Sequence, residues 1–341
     1  MKKPLIAMLV LALAVAAAGC GSTKKASSTT TPTTTAASSF KVGLITDIGG
    51  LNDRGFNHLA FVGLQRAAAD LGVQTRVVQS ASPAEYIPNL SALARQGYNL
   101  VIGVGFTEID AMKAVAKTFP KTHFAIVDVS NADEGNAPNV EGLLFKEQQV
   151  GYLAGYAAGL AAKADGATTV SSVGGQKQPP VDRYIAGYEA GAKAAFPSVK
   201  TVNGYSQDFS VESKCKELAL NQIAAGSDVV FQVAGGCGLG ALSAAKEKNV
   251  WGVGVDADQA YLGSFILTSA VKKVDVAVFD TIKEIQAGTF KGGTTAFFTA
   301  QNGGAGIGAI SPKVPAADIT KLKAIEQKVE SGAIKPPDVV K

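Results

Sequence analysis

Residues 233–256 read VAGGCGLGALSAAKEKNVWGVGVD. Gly236, Gly238 and Ala241 fit the G-x-G-x-x-G/A spacing of a dinucleotide-binding turn, after an apolar run and before a helical one. Asp256 follows about 20 residues on, where that fingerprint places the carboxylate that accepts from a ribose hydroxyl. The implied chemistry is close backbone approach to a ligand, a helix N-terminus facing it, and a carboxylate on a sugar edge.

Other chemistry is harder to build. Asp256 and Asp258 lie one strand period apart, and a turn or ligand-binding carboxylate explains them better than an acid/base pair. His58 and His123 are the only histidines, and the cysteines lack zinc-type spacing, so neither a metal nor a catalytic triad is indicated. Phe56 stands between Gly55 and Asn57 at the mouth of a helix, and Phe209 stands in the polar loop SQDFSVES. Two such aromatics from opposite halves of a molecule could sandwich a flat ring while carboxylates fix its polar edge.

These residues sit on a regular alternation of elements. Strand-length runs at 41–46, 75–79, 100–105, 123–128, 167–175, 199–205, 227–235, 250–255 and 264–270 alternate with helical patterns at 54–71, 82–96, 108–118, 147–163, 181–196, 211–225, 239–248, 274–287 and 316–331. Such alternation implies parallel sheets covered on both faces. A β/α barrel would read similarly. The asymmetric tail and the long connection at 129–146 favour two doubly wound α/β lobes. Ligands then bind beyond the carboxyl ends of the strands. The loops there hold Asp47, Asp53 to Asn57, Phe106, Asp128, Gly174 and Gly175, Phe209, the Gly235–Gly240 turn and Asp256.

The first forty residues read as an address. Met1-Lys-Lys precedes PLIAMLVLALAVAAA and then Gly19-Cys20, the layout of a signal peptide (1–19) with a lipidated Cys20. Twelve of the nineteen residues at 21–39 are Ser or Thr, a composition that cannot offset its ordering entropy. This tether would span roughly 24 Å. The chain is therefore expected to be exported and anchored at the outer face of the bacterial membrane, where a dinucleotide enzyme is the remote alternative. The run GYLAGYAAGLAA at 151–162 mimics a membrane packing face, but charges bound it closely, and a soluble helix packed on a sheet is the better reading. The formal charge of +4 is spread along the chain, so no nucleic-acid surface is expected. With Cys20 lipidated, Cys215 and Cys237 remain as an even pair in an oxidising compartment. Both fall near one sheet edge, so a disulfide between them is expected.

The segment TDIGGLNDRGFNHLAFVGL (46–64) resembles the opening motif of the basic membrane protein family, substrate-binding lipoproteins of ABC importers that include purine nucleoside receptors. NLVIGVGF (99–106), FKEQQVGYLAGYAAGLAAK (145–163), GYEAGAKA (187–194), AGGCGLGAL (234–242), WGVGVDADQ (251–259) and LTSAVKKVDVAVFD (267–280) extend the resemblance. It implies a type I periplasmic-binding-protein fold with two lobes joined by crossing segments: 40–145 with about 271–298, and 146–270 with about 299–341. It implies Phe56 and Phe209 stacking on a base, with Asp47, Asn57 and Asp128 as its polar contacts and Phe106 beside them. Asp256 and Lys272 would grip ribose hydroxyls, and Gly236 and Gly238 would bring backbone amides close. Arg54-Gly55 stands where Lys-Ser is more usual, and Tyr184 where Phe is common. The implied function is a monomeric receptor that needs no cofactor and presents a purine nucleoside to a membrane permease. A sugar or signalling molecule in the same cleft is the alternative.

Overall fold

A computed structural model describes residues 40–340. The expected signal peptide, Cys20 and the Ser/Thr tether lie outside the described residues. The elements in chain order are β1 (Lys41–Thr46), α1 (Phe56–Leu71), β2 (Gln74–Gln79), α2 (Tyr86–Arg95), β3 (Leu100–Val104), α3 (Ile109–Thr118), β4 (His123–Val127), β5 (Val140–Phe145), α4 (Glu147–Ala164), β6 (Thr169–Gly174) and α5 (Pro179–Ala195). There follow β7 (Lys200–Tyr205), α6 (Glu212–Ala224), β8 (Ser227–Val233), α7 (Gly238–Glu247), β9 (Trp251–Asp256), β10 (Ile266–Lys272), α8 (Val274–Gln286), β11 (Thr295–Phe298), β12 (Ala305–Ile307) and α9 (Ala316–Glu330).

The strands form two six-stranded sheets, ordered β2-β1-β3-β4-β5-β11 and β7-β6-β8-β9-β10-β12. Every pairing is parallel except β12 on β10. The sheets are built on one plan, so β4 matches β9 and β5 matches β10. Helices α1 and α8 cover one face of the first sheet and α2 and α3 the other. Helices α4, α5 and α9 cover one face of the second, α6 and α7 the other. Apolar strands buried on both faces, such as LVIGV in β3, are what this layering demands. The chain passes between the sheets after β5, after β10 and after β11.

One sequence expectation changes. The connection at 129–146 contains strand β5, VEGLLF. Glu141 and Gly142 break its apolar pattern, yet Glu141 is buried and desolvation raises its pKa to about 7. Strand β5 forms because β4 and β11 pair with it from both sides. Helix α4 packs on the second sheet as expected, and its glycines at 151–162 serve a further close contact, with α5. A β-carbon at Gly151, Gly155 or Gly159 would overlap the carbonyl of Tyr184, Tyr188 or Ala192 on α5. Among the described residues no helix is long and apolar enough to cross a membrane.

Cys215 on α6 and Cys237 before α7 form the disulfide, with Cα atoms 5.5 Å apart and both residues buried. It closes a loop of sequence separation 22, for which loss of the crosslink is worth about 3 kcal/mol. We expect the Cys215→Ser, Cys237→Ser variant to lose about that much in urea unfolding. Coincident midpoints for wild type and variant would mean the bond adds no net stability.

Candidate ligand-binding site

In each sheet the strand order reverses once, between β1 and β3 and between β6 and β8. Ligands bind at such switch points, beyond the carboxyl ends. Those ends carry Asp47 and Gly105–Phe106 on the first sheet, and Gly175 and Val233–Gly235 on the second. Of these, Asp47, Gly105, Phe106, Val233 and Gly235 line one cavity whose walls come from both sheets, the place where small-molecule sites of such folds form.

The wall from the first sheet is set by the N-terminus of α1. Asp53 caps it, accepting from the backbone amides of Asn57 (2.7 Å), Gly55 (3.0 Å) and His58 (3.1 Å). The Asn57 side-chain amide donates to Asp47 Oδ1 at 2.8 Å and to Asp53 Oδ2 at 3.2 Å. Gly49 also donates to Asp47 Oδ1 at 2.9 Å. Asp47 Oδ2 and Asn57 Oδ1 are left as acceptors without a protein partner. Burial raises the Asp47 pKa to about 6, against the pull of those hydrogen bonds. Phe56, Phe106 and Gly105 complete this wall.

Phe209 comes from the second sheet's side. Its ring lies against Gly175, where a β-carbon would collide with it. Asp208 fixes the loop by capping α6, accepting from Ser210 N at 2.8 Å and Val211 N at 2.9 Å. The Lys214 ammonium, 2.7 Å away, is the largest influence holding the Asp208 carboxyl down to about 2. The Phe209 carbonyl accepts from Cys237 N at 2.9 Å, so the disulfide loop braces the ring. Ser210 Oγ donates to the Ile48 carbonyl at 3.2 Å, tying the two walls together.

Between the walls lies one buried cation. Lys272 ends the otherwise uncharged buried strand β10. Its Nζ donates to Asp128 Oδ1 and Oδ2 at 2.9 and 2.8 Å and to Glu147 Oε1 at 3.4 Å, and stands 3.8 Å from Asp256 Oδ1. It also lies 4.7 Å from the centre of the Phe56 ring. Asp128 follows β4 and Asp256 ends β9, so the two carboxylates occupy equivalent places on matched strands. Both adopt left-handed backbone, φ 71° and 61°, a conformation Asp tolerates better than most residues and one concentrated at functional sites. Arg183 donates to Glu147 Oε2 at 2.6 Å. The Tyr184 hydroxyl donates to Asp256 Oδ1 at 3.1 Å. Burial raises the Asp256 pKa to about 6, although Lys272 and Tyr184 oppose it. Burial, with repulsion from Glu147, also raises Asp128, while Lys272 is held above the usual lysine range by its three carboxylates.

The cavity therefore gathers Asp47, Phe56, Asn57, Phe106, Asp128, Phe209, Asp256 and Lys272. Gly236 and Gly238 do not line it: Gly238 opens α7 against the Gln232 side chain, and Gly235 reaches the cavity instead. Residues not placed in the site from the sequence include Tyr184, Gln178, Pro180 and Val181 in the lining and Glu147 and Arg183 behind it. A tyrosine where phenylalanine is usual was the one available signal. Among the described residues no cluster is suited to a metal ion. Four lining carboxylates face one lysine, so the cavity is rich in acceptors and offers little to an anion.

Residues 40–339 match the model of the Bmp family, described as ABC transporter substrate-binding protein, PnrA-like. The chain belongs to the Bmp family. Its relatives include the ABC transporter nucleoside-binding protein BmpA of Lactococcus lactis, 37% identical over 332 residues and covering 90% of this chain and 92% of that one. A CD4+ T-cell-stimulating antigen of Listeria monocytogenes is 35% identical over 363 residues, covering 99% of each. A crystal structure of an ABC transporter solute-binding protein from Aeropyrum pernix superposes with TM-score 0.79 at 27% identity, covering 87% of this chain and 92% of that one. The architecture is that of type I periplasmic-binding proteins. As a Bmp protein the chain is a solute-binding component of an ABC transporter and not an enzyme, with a ligand and a permease as its partners.

Proposed function

We propose that this Bmp protein binds a purine nucleoside, or a similar riboside, between its two sheets and presents it to the permease from a lipid anchor on Cys20. The carrying observation is the acceptor-rich cavity with one buried ammonium held between Asp128 and Asp256. Vicinal hydroxyls of a ribose donate to Asp256 and accept from Lys272. A base donates its amine and ring N–H groups to Asp47 Oδ2 and Asn57 Oδ1, with Phe56 and Phe209 on its faces. Excess carboxylate disfavours phosphate, so a nucleoside suits the cavity better than a nucleotide or NAD. The name of the Lactococcus lactis relative agrees with this reading.

Native mass spectrometry of the purified protein tests it directly. A retained mass equal to a nucleoside supports the reading, and a retained sugar or amino-acid derivative replaces it. Base–aromatic stacking is worth about 1–3 kcal/mol. Phe56→Ala is therefore expected to weaken nucleoside binding about 10- to 100-fold in calorimetry. Unchanged affinity in the folded variant removes Phe56 from the site.

A further inference from the structure

A second depression lies outside the ligand cavity and is also built by both sheets. Arg54, on the loop before α1, forms one side. Leu239, Leu242 and Lys246 of α7, with Phe265 before β10 and Glu212 at the start of α6, form the other. Leu239, Leu242 and Phe265 give it an apolar floor. Arg54 and Lys246 are exposed and make no ion pair with any described residue. The Lys246 ammonium stands 5.9 Å from the centre of the Phe265 ring. Glu212 is accounted for by the first turn of α6, where a carboxylate meets the positive end of the helix.

Two observations tie this groove to the cleft between the sheets. Asp53, next to Arg54 in the chain, lines the ligand cavity, and Gly235, three residues before α7, does too. The Ser210–Ile48 hydrogen bond holds the two walls at their present separation. Arg54 itself adopts left-handed backbone, φ 53°, which costs a non-glycine residue about 1 kcal/mol and concentrates where a residue must be presented. Moving the sheets apart would split the groove.

We propose that this groove is where the permease reads the closed protein, and that it receives an extracytoplasmic permease segment carrying a carboxylate beside an apolar side chain. The carboxylate meets Arg54 and Lys246, and the apolar group fills the Leu239, Leu242 and Phe265 floor. The proposal rests on membership of a solute-binding family and not on the identity of the ligand.

The test places a photo-crosslinking amino acid at Ser243, on the groove, and at Thr320, on α9, in the full chain expressed in its own cells. Irradiation from position 243 is expected to give an adduct to an ABC permease subunit, identified by mass spectrometry, and position 320 to give none. Juxtaposing like charges opposes a partner by several kcal/mol. Arg54→Glu with Lys246→Glu should then cut the adduct at least about 10-fold while thermal unfolding is unchanged. Lys246→Glu alone, remote from the ligand loop, should cut it in the same direction. Equal adducts from both positions, no permease adduct from 243, or a yield indifferent to charge reversal in both variants would overturn the proposal.

Discussion

Asp256→Asn is expected to weaken riboside binding about 100-fold while leaving the free base within about two-fold. A hydrogen bond to a charged group contributes about 1.5–3 kcal/mol, and a carboxylate on vicinal hydroxyls makes two of them. Asparagine is the informative replacement because Asp256 has φ 61°, a backbone conformation that Asn tolerates and Ala does not. The Tyr184 hydroxyl, 3.1 Å from Asp256 Oδ1, still finds an amide oxygen to donate to. Any affinity loss then reports the ligand contact and not a collapsed loop. Titration calorimetry with matched riboside and base reads the difference. Equal losses for the two ligands would take the ribose role away from Asp256.

Lys272→Met has the second large effect, on stability. The substitution leaves Asp128, Glu147 and Asp256 facing one another in a buried space without their shared cation. Removing one partner of a buried ion pair costs about 3–5 kcal/mol. Protonation of the carboxylates offsets that cost, so the loss in urea unfolding should be largest near pH 7.5 and smaller near pH 5. A loss independent of pH would mean that packing of the lysine stem, not its charge, is what was removed.

The same groups set the pH dependence of the wild type. Asp47 and Asp256 have folded pKa values raised to about 6, and Asp128 is also raised, chiefly by burial. Groups raised on folding bind protons more tightly in the native state. Their destabilising contribution grows as pH rises from the unfolded carboxylate range through the folded values, and is constant above them. Lys272, raised above an already basic value, contributes nothing to this window. The ligand-free protein should therefore gain stability from these groups between about pH 7 and pH 5. Riboside affinity should fall over the same range, because a protonated Asp256 is a poorer acceptor. Thermal unfolding with and without ligand at both pH values separates the two trends.

Much of the fold was legible in the chain because its signals are local. Apolar runs of strand length and helical periodicity located β1 to β4 and β6 to β10 and the helices between them. Strands β5, β11 and β12 escaped this reading. β5 carries Glu141 and Gly142, and the other two are short and exist by pairing with β5 and β10. Pairing partners far away in sequence are not a local property.

The same division runs through the site. Asp47, Phe56, Asn57, Phe106, Asp128, Phe209 and Asp256 lie at strand ends, on the loops that follow strands, or at the helix start just beyond, so the rule for parallel sheets sufficed to bring them forward as candidates. Cys215 and Cys237 could be paired by count and compartment. Glu147, Arg183 and Tyr184 lie in helices, where charge and aromatic periodicity look like ordinary surface or core. Their part in the site exists only because the start of α4 and one face of α5 meet the ends of β4, β9 and β10. Gly236 and Gly238 match the fingerprint, yet tertiary packing gives the cavity to Gly235. The chain by itself determined the elements other than β5, β11 and β12 and which loops gather at the sheet edges, since both follow from local periodicity and chirality. Only the tertiary structure decided that Lys272 would be shared by carboxylates from both sheets, because burial and mutual distance set its charge environment.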